Sequence, residues 1–173
     1  GMNNDIEGTI DTWFDIATDY DIDMDVHIQD GGQLGLHTLE TLVQKTKDRG
    51  YEDRVTASHC FSLAQAPDWW LEKFTEEFST VNLKTVTCYN SIRCEMPVRE
   101  LVDNGIPLGH GTDNDRDFVI PHGNSDSLEA AQVMSLKLHG DQRNSENYRW
   151  SESNPGLEFL WDLLTEQGSQ VLG

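Results

Sequence analysis

Positive charge is scarce in this chain of 173 residues: 12 Lys and Arg stand against 31 Asp and Glu, a formal net charge of −19. A surface this acidic repels phosphate backbones, so nucleic acid is not an expected partner. The acids are spread along the sequence, which fits a solvated surface better than a dedicated acidic binding face. Cysteine is scarce as well. Cys60, Cys88 and Cys94 are odd in number and form no Cys-x-x-Cys pair, which excludes a zinc knuckle and points to a reducing, cytoplasmic compartment. No apolar run approaches the roughly 18 residues that span a bilayer, so no membrane association is expected. The opening Gly1-Met2-Asn3-Asn4-Asp5 is polar without a basic region, so no signal peptide is expected, and Gly1 reads as the remnant of a tag. Low-complexity stretches and Pro-, Gly- or Ser-rich linkers are missing too, and a single domain over residues 1–173 is the expectation.

What the chain does have is an ordinary globular composition, 36% hydrophobic and 25% charged, and a regular alternation of patterns. Ile6, Ile10, Phe14 and Ala17, with Trp13, recur at helical spacing over Ile6 to Tyr20. From Asp23 to Asp30, Met24, Val26 and Ile28 alternate with Asp25 and His27, the period of a strand, which breaks at Gly31-Gly32. A second helix carries Leu36, Leu39, Leu42 and Val43, has Lys45, Lys47 and Arg49 near its end, and stops at Gly50. Arg54 to His59 is a second strand. Pro67 opens a helix to about Phe78 with Trp70, Leu71, Phe74 and Phe78 on one side. Lys84 to Tyr89 reads as a third strand, Val98 to Asp103 as a short helix, and Ile106 to Gly109 as a brief fourth strand, with Pro107 marking its end or a bulge. Ser127 is the expected cap of a helix to Leu138. Gly140 to Asn154 is a polar surface segment, and a last helix runs from Pro155 to Gly168 with Leu157, Leu160, Trp161 and Leu164 inward.

Strict alternation of strand and helix calls for a parallel sheet joined by crossovers. The strand-end positions His27, His59, Tyr89 and Asp113 are separated by 32, 30 and 24 residues, close to the roughly 30 residues of a βαβ unit. In parallel sheets the carboxyl ends of the strands carry the chemistry, because their loops converge there. Two histidines and an aspartate at such ends suit a divalent transition metal, zinc or iron(II), with a position left open for water. Such an ion brings bound water toward a pKa of roughly 7, and a nearby carboxylate can move the proton. The other histidines are assigned no ligand role: His37 lies near a helix start, His139 at a helix end, and His110 and His122 in loops beside the site. Trp69, Trp70 and Trp161 read as core or interface aromatics. Cys60, beside His59, is read as packing.

Asp25-Val-His-Ile-Gln-Asp30, Arg54-Val-Thr-Ala-Ser-His59 and Gly109-His-Gly-Thr-Asp-Asn-Asp-Arg-Asp117 resemble the later motifs of cytosine deaminase-like enzymes of the amidohydrolase superfamily. The similarity takes in Val102-Asp-Asn-Gly-Ile-Pro107 and the closing Leu164–Gly173 run. It implies an α/β fold, the parallel-stranded half of a (β/α)8 TIM-type barrel with four βα units. It also implies hydrolysis of a non-peptide carbon–nitrogen bond, such as deamination of a heterocycle by a metal-activated water. In that resemblance His27 would be a metal ligand, and His59 would orient the attacking water or polarise the substrate. Asp113 would bind the metal and take the water's proton. Asp30 would stand where a glutamate protonates the heterocycle, and Gln29 and Asn114 would contact the small-molecule substrate.

Two departures shape the expectation. Asp30 is one methylene shorter than glutamate, which leans away from a pyrimidine toward another ring or amide. The superfamily's His-x-His pair occurs nowhere in the sequence, and a complete barrel takes roughly 250 residues. The resemblance therefore implies a truncated half barrel with little or no hydrolase activity of its own. Its two edge strands and an exposed apolar sheet face would be covered by self-association as a dimer, or the half barrel would flatten into an open flavodoxin-like sheet. The alternative reading is a non-catalytic α/β domain that binds a small molecule or a partner at the same loops.

Overall fold

The computed structural model describes residues 5–88, 96–140 and 155–172. Helix α1, Ile6–Tyr20, starts at Asp5, whose carboxylate accepts from the Gly8 N–H at 2.8 Å, and stops at Asp21 in left-handed backbone. Strand β1, Met24–Ile28, leads to α2, Gly32–Arg49, which Gly50 terminates at φ 62°. Then come β2, Val55–His59, a 3-10 turn at Phe61–Gln65, α3, Asp68–Thr80, and β3, Lys84–Thr87. Helix α4, Val98–Asp103, strand β4, Leu108–His110, and helix α5, Ser127–Gly140, complete the alternation. Two further helices follow, α6, Pro155–Leu164, and α7, Glu166–Leu172.

All three neighbouring pairs are parallel and the sheet order is β1-β2-β3-β4. A doubly wound sheet reverses its strand order at a switch point. No reversal occurs here, so the winding is that of a barrel wall, four βα units long. The sequence-based fold therefore stands: the chain folds as part of a TIM-type barrel, four parallel strands alternating with helices.

One face of the sheet is the core. Val55, Ala57, Thr85, Thr87 and Leu108 are fully buried, and the same apolar cluster takes in Leu39 and Leu42 of α2, Leu71, Phe74 and Phe78 of α3, and Leu101 of α4. Burying one such leucine or phenylalanine contributes about 1.5–3 kcal/mol. The opposite face differs from the apolar surface expected of an opened barrel. At β1 it carries exposed Asp25 and His27, at β2 half-buried Thr56 and buried Ser58, whose hydroxyl donates to Asp25 at 2.8 Å. At β4 it is covered by α7, where Val171 would lie 3.4 Å from a Cβ on Gly109. Polar side chains and a short terminal helix thus replace the bare apolar face.

Several local expectations shift. The fourth strand starts at Leu108, because the Ile106 N–H bonds to the Leu101 carbonyl in the end of α4 and the ladder begins where the Pro107 carbonyl accepts from Thr85 at 2.8 Å. His110 therefore ends a strand and does not lie in a loop. Asp126, not Ser127, supplies the capping oxygen of α5, accepting from Leu128 at 2.9 Å. The last helix breaks at Thr165 into α6 and α7. Leu160 and Leu163 point inward there, whereas Trp161 is 59% exposed and Leu164 is only half-buried. Trp70 is core and donates to Glu40 at 2.8 Å, while Trp69 is exposed. Tyr89, the expected end of β3, lies outside the described residues, as do Cys94, residues 141–154 and the side chains of His139 and Leu157.

Candidate functional site

The site grows from the carboxyl ends of three strands and the segments that follow them. His27 is the fourth residue of β1 and faces solvent. His59 ends β2, and strand alternation would turn it away from His27, onto the buried face with Val55 and Ala57. Its backbone breaks that alternation: φ is 72° at His59 and 47° at Cys60, left-handed values costly for residues with a side chain. The ring consequently meets His27, with His59 Nε2 2.9 Å from His27 Nδ1 and the ring centroids 4.7 Å apart. Phe61, at 5.2 Å between centroids, backs the His59 ring.

The other His59 nitrogen faces sulfur. Cys88, one residue past the end of β3, sets its Sγ 3.4 Å from His59 Nδ1. The same sulfur lies 3.6 Å from an Asp113 carboxylate oxygen. Asp113 follows β4 by three residues, again in left-handed backbone, with φ 61°, which Asp tolerates better than most residues. One donor atom from each of His59, Cys88 and Asp113 lies within 4.8 Å of the others, with the first two residues buried and the carboxylate exposed. Nitrogen, sulfur and oxygen donors converging at a solvent-accessible point are the set a borderline divalent ion takes, so the residues present fit such an ion.

The structure thus brings His27, His59 and Asp113 to one mouth. Asp30 is half-buried three residues past His27 but does not join the three-donor group, and Gln29 is exposed beside it. Asn114 is directed into its own loop. Its amide donates to the Asp117 carboxylate, which also accepts from the Val119 and Ile120 N–H groups at 2.8 Å. The Ile120 N–H first, then the Asn114 amide, holds the Asp117 carboxyl below the usual carboxylate range. His122 and Asn114 line a small cavity between that loop and α5. Sequence reasoning passed over Cys88. Its signal was the spacing that pointed to Tyr89, one residue further on.

Buried groups nearby differ in character. Cys60 turns its thiol to the Ala57 carbonyl at 3.5 Å, and burial pushes it up to about 12, so it stays a thiol. His110 is half-buried at the end of β4, but both ring nitrogens are closed off from solvent, neither has a partner among the described residues, and burial lowers its pKa to about 4.

Known proteins share this architecture. The N-isopropylammelide isopropyl amidohydrolase of Pseudomonas sp. (strain ADP) is 37% identical over 170 residues, covering 98% of this chain and 40% of that protein. The crystal structure of N-isopropylammelide isopropylaminohydrolase from Burkholderia multivorans superposes with a TM-score of 0.84 at 23% identity, over 97% of this chain and 40% of that one. The 5-methylcytosine deaminase from Klebsiella pneumoniae, liganded with 5-fluorocytosine, gives a TM-score of 0.79 at 21% identity, over 96% of this chain and 41% of that one. No protein-family model matches the chain. The chain spans about 40% of the length of the relatives it matches, and over that span it is similar in sequence to an amidohydrolase and shares the barrel fold of the two solved structures.

Proposed function

We propose that this chain provides the strand-end half of a metal-dependent hydrolase site for a non-peptide carbon–nitrogen bond, of the kind that deaminates or dealkylates a heterocycle. The observation that carries the reading is the 2.9 Å contact of His27 with His59 at a mouth that Asp113 also reaches. Asp113 and a nitrogen of the histidine pair would hold a zinc or iron ion, and the family resemblance assigns that nitrogen to His27. Bound there, the ion supplies Lewis acidity. Asp113, exposed, takes up the proton of the attacking water, and an imidazole of the pair orients that water or polarises the bond under attack. Asp30, on the turn before α2, is the proton donor to the ring, and Gln29 and Asn114 are contacts for the small-molecule substrate. The names of the relatives support a substituted nitrogen heterocycle as substrate. A reducing, cytoplasmic location suits the thiol at the site. Among the described residues no helix is long and apolar enough to cross a membrane.

With no His-x-His pair in the sequence, the ligand set of a competent site is incomplete. The chain alone is therefore expected to bind metal without turnover. Metal analysis after loading with zinc or iron(II) and dialysis should find about one ion per chain, and His27→Asn should lower affinity by at least ~10-fold. No release of ammonia or alkylamine above the blank is expected from aminotriazine or aminopyrimidine substrates. A chain that retains no ion refutes the metal reading and leaves the non-catalytic α/β binding domain. Robust turnover by the chain refutes its inactivity. Self-association as a dimer is part of the proposal.

A further inference from the structure

We infer that the cavity between the loop after β4 and helix α5 receives a small alkyl group carried on an amino nitrogen of the ring substrate. The inference rests on the hydrolase reading and names a substituent that the substrate bears. Thr112 and Asn114 line the cavity, and each is one residue, about 3.8 Å of backbone, from Asp113 at the mouth. A ring seated against Asp113 therefore has the cavity within reach of a substituent a few bonds long. The lining is divided by chemistry. Ile120 from the loop and Ala130 and Val133 from α5 are its apolar part, the last two sharing a helix face at three-residue spacing. Ile120 and Ala130 are only 6% and 7% exposed. Asn124, Asp126 and Glu129 make the rest polar and acidic.

Size and charge narrow the occupant. A dry apolar cavity of roughly 150 Å³ holds a six-carbon ring, so one of about 80 Å³ has room for about three carbons. An uncharged alkyl group suits the apolar part, whereas a carboxylate on the substituent is repelled by Asp126 and Glu129. The cavity is built before any ligand arrives. The Asp117 carboxylate takes the Asn114 amide and the Val119 and Ile120 N–H groups, and the Gly123 N–H donates to the Ile120 carbonyl at 3.1 Å. A Cβ on Gly123 would lie 2.4 Å from the Asn114 carbonyl oxygen, so glycine is what lets the turn close on Asn114. On the other side Asn124 donates to Glu129, and Asp126 caps α5. A preformed pocket of this kind loses little affinity to ordering.

Assigned methyl and amide NMR spectra of the purified chain test this, in titrations with isopropylaminopyrimidine, aminopyrimidine and carboxymethylaminopyrimidine. Isopropylaminopyrimidine should shift the Ile120, Ala130 and Val133 methyl signals. It should bind ~10-fold or more tighter than aminopyrimidine, since even one methylene fitted into an apolar pocket is worth about 10-fold or more. Aminopyrimidine should shift signals of His27 and His59 and leave the cavity methyls in place, and the carboxymethyl compound should gain nothing over it. Val133→Phe fills the cavity and should cancel the isopropyl gain while aminopyrimidine binds as before. Amide dispersion shows whether that variant folds; if it does not, the methyl shifts of the unmodified chain decide. An isopropyl group that brings no gain, or that binds without moving the cavity methyls, overturns the subsite and leaves the hydrolase reading intact. A carboxymethyl group that binds as tightly as isopropyl also overturns it. Absence of binding by all three compounds overturns the subsite, and metal retention by the chain then decides the hydrolase reading separately.

Discussion

A histidine whose two ring nitrogens are closed off from solvent, with no partner among the described residues, resists taking up a proton. His110, with its pKa lowered by burial to about 4 from an ordinary 6.5, is such a group. Between those two values the unfolded chain binds a proton that the folded chain refuses, so stability rises with pH across that window and falls as pH drops through it. The size follows from about 1.4 kcal/mol per pKa unit, giving on the order of 3 kcal/mol between pH 7 and pH 4. Urea unfolding at half-unit pH steps should show this slope, and His110→Leu should flatten it. An unchanged slope in that variant would remove His110 as the cause. The residue scale is also where the sequence was most and least legible. The placement of His27, His59 and Asp113 around one mouth was legible because strand-end position and side-chain chemistry agree at each. That of Cys88 was not, because a buried cysteine ordinarily packs, and only the pairing of β3 with its neighbours puts its sulfur between an imidazole and a carboxylate. The left-handed turn at His59 has only a weak sequence signature, since histidine takes positive φ more readily than most side chains but nothing in Ser58-His59-Cys60 demands it.

Elements were legible where punctuation is strong. Gly50 and Pro67 bound their helices close to where those residues imply, whereas apolar spacing alone misplaced the face of α6: Leu160, Trp161 and Leu164 satisfy a helical period, but packing buries Leu160 and Leu163 instead. Helix α2 shows what spacing cannot convey. It starts at Gly32, a turn before the apolar run, so that Gly35 can pass against the loop after β1. A Cβ on Gly35 would lie 2.0 Å from the Asp30 carbonyl oxygen and 2.7 Å from Ser62 Cβ. Neither the backbone nor the buried 3-10 turn can yield cheaply, and Gly35→Ala should cost about 1–3 kcal/mol despite alanine's better helix propensity. Gly31→Ala has open space at its Cβ and extended backbone, and should change stability by no more than about 0.5 kcal/mol. Thermal melts of the two variants separate the cases, and equal melting temperatures would mean the close approach is not a constraint.

At the scale of the whole molecule, the sheet order was legible because four βα units of nearly equal length admit few arrangements, but the character of the open surface was not. The expected apolar sheet face is polar at β1 and β2 and covered by α7 at β4. What remains apolar is the β1 edge. Trp13, Ile16 and Ile22 line a cleft there with Met24 and Val26, and Ile16 and Ile22 are each 49% exposed. An unpaired edge strand beside exposed isoleucines is a template for association, and a twofold dimer is the simplest way to cover it. Charge opposes that pairing: Asp23 and Asp25 line the same cleft and Asp21 shares Arg54 with Asp23, on a chain of net charge −19. Arg54 neutralises part of it, bonding Asp21 at 2.9 Å and Asp23 at 2.7 Å. Screening decides the balance, because the Debye length falls from about 10 Å at 0.1 M salt to about 3 Å at 1 M. Association through an apolar contact under like-charge repulsion must therefore strengthen with salt, the reverse of an interface held by ion pairs. Sedimentation equilibrium should show a dimer whose dissociation constant falls between those salt concentrations, and Ile22→Lys should return the chain to monomer in both. A wild-type chain that stays monomeric at high salt, or an Ile22→Lys variant that dimerises unchanged, would place the interface elsewhere or remove it.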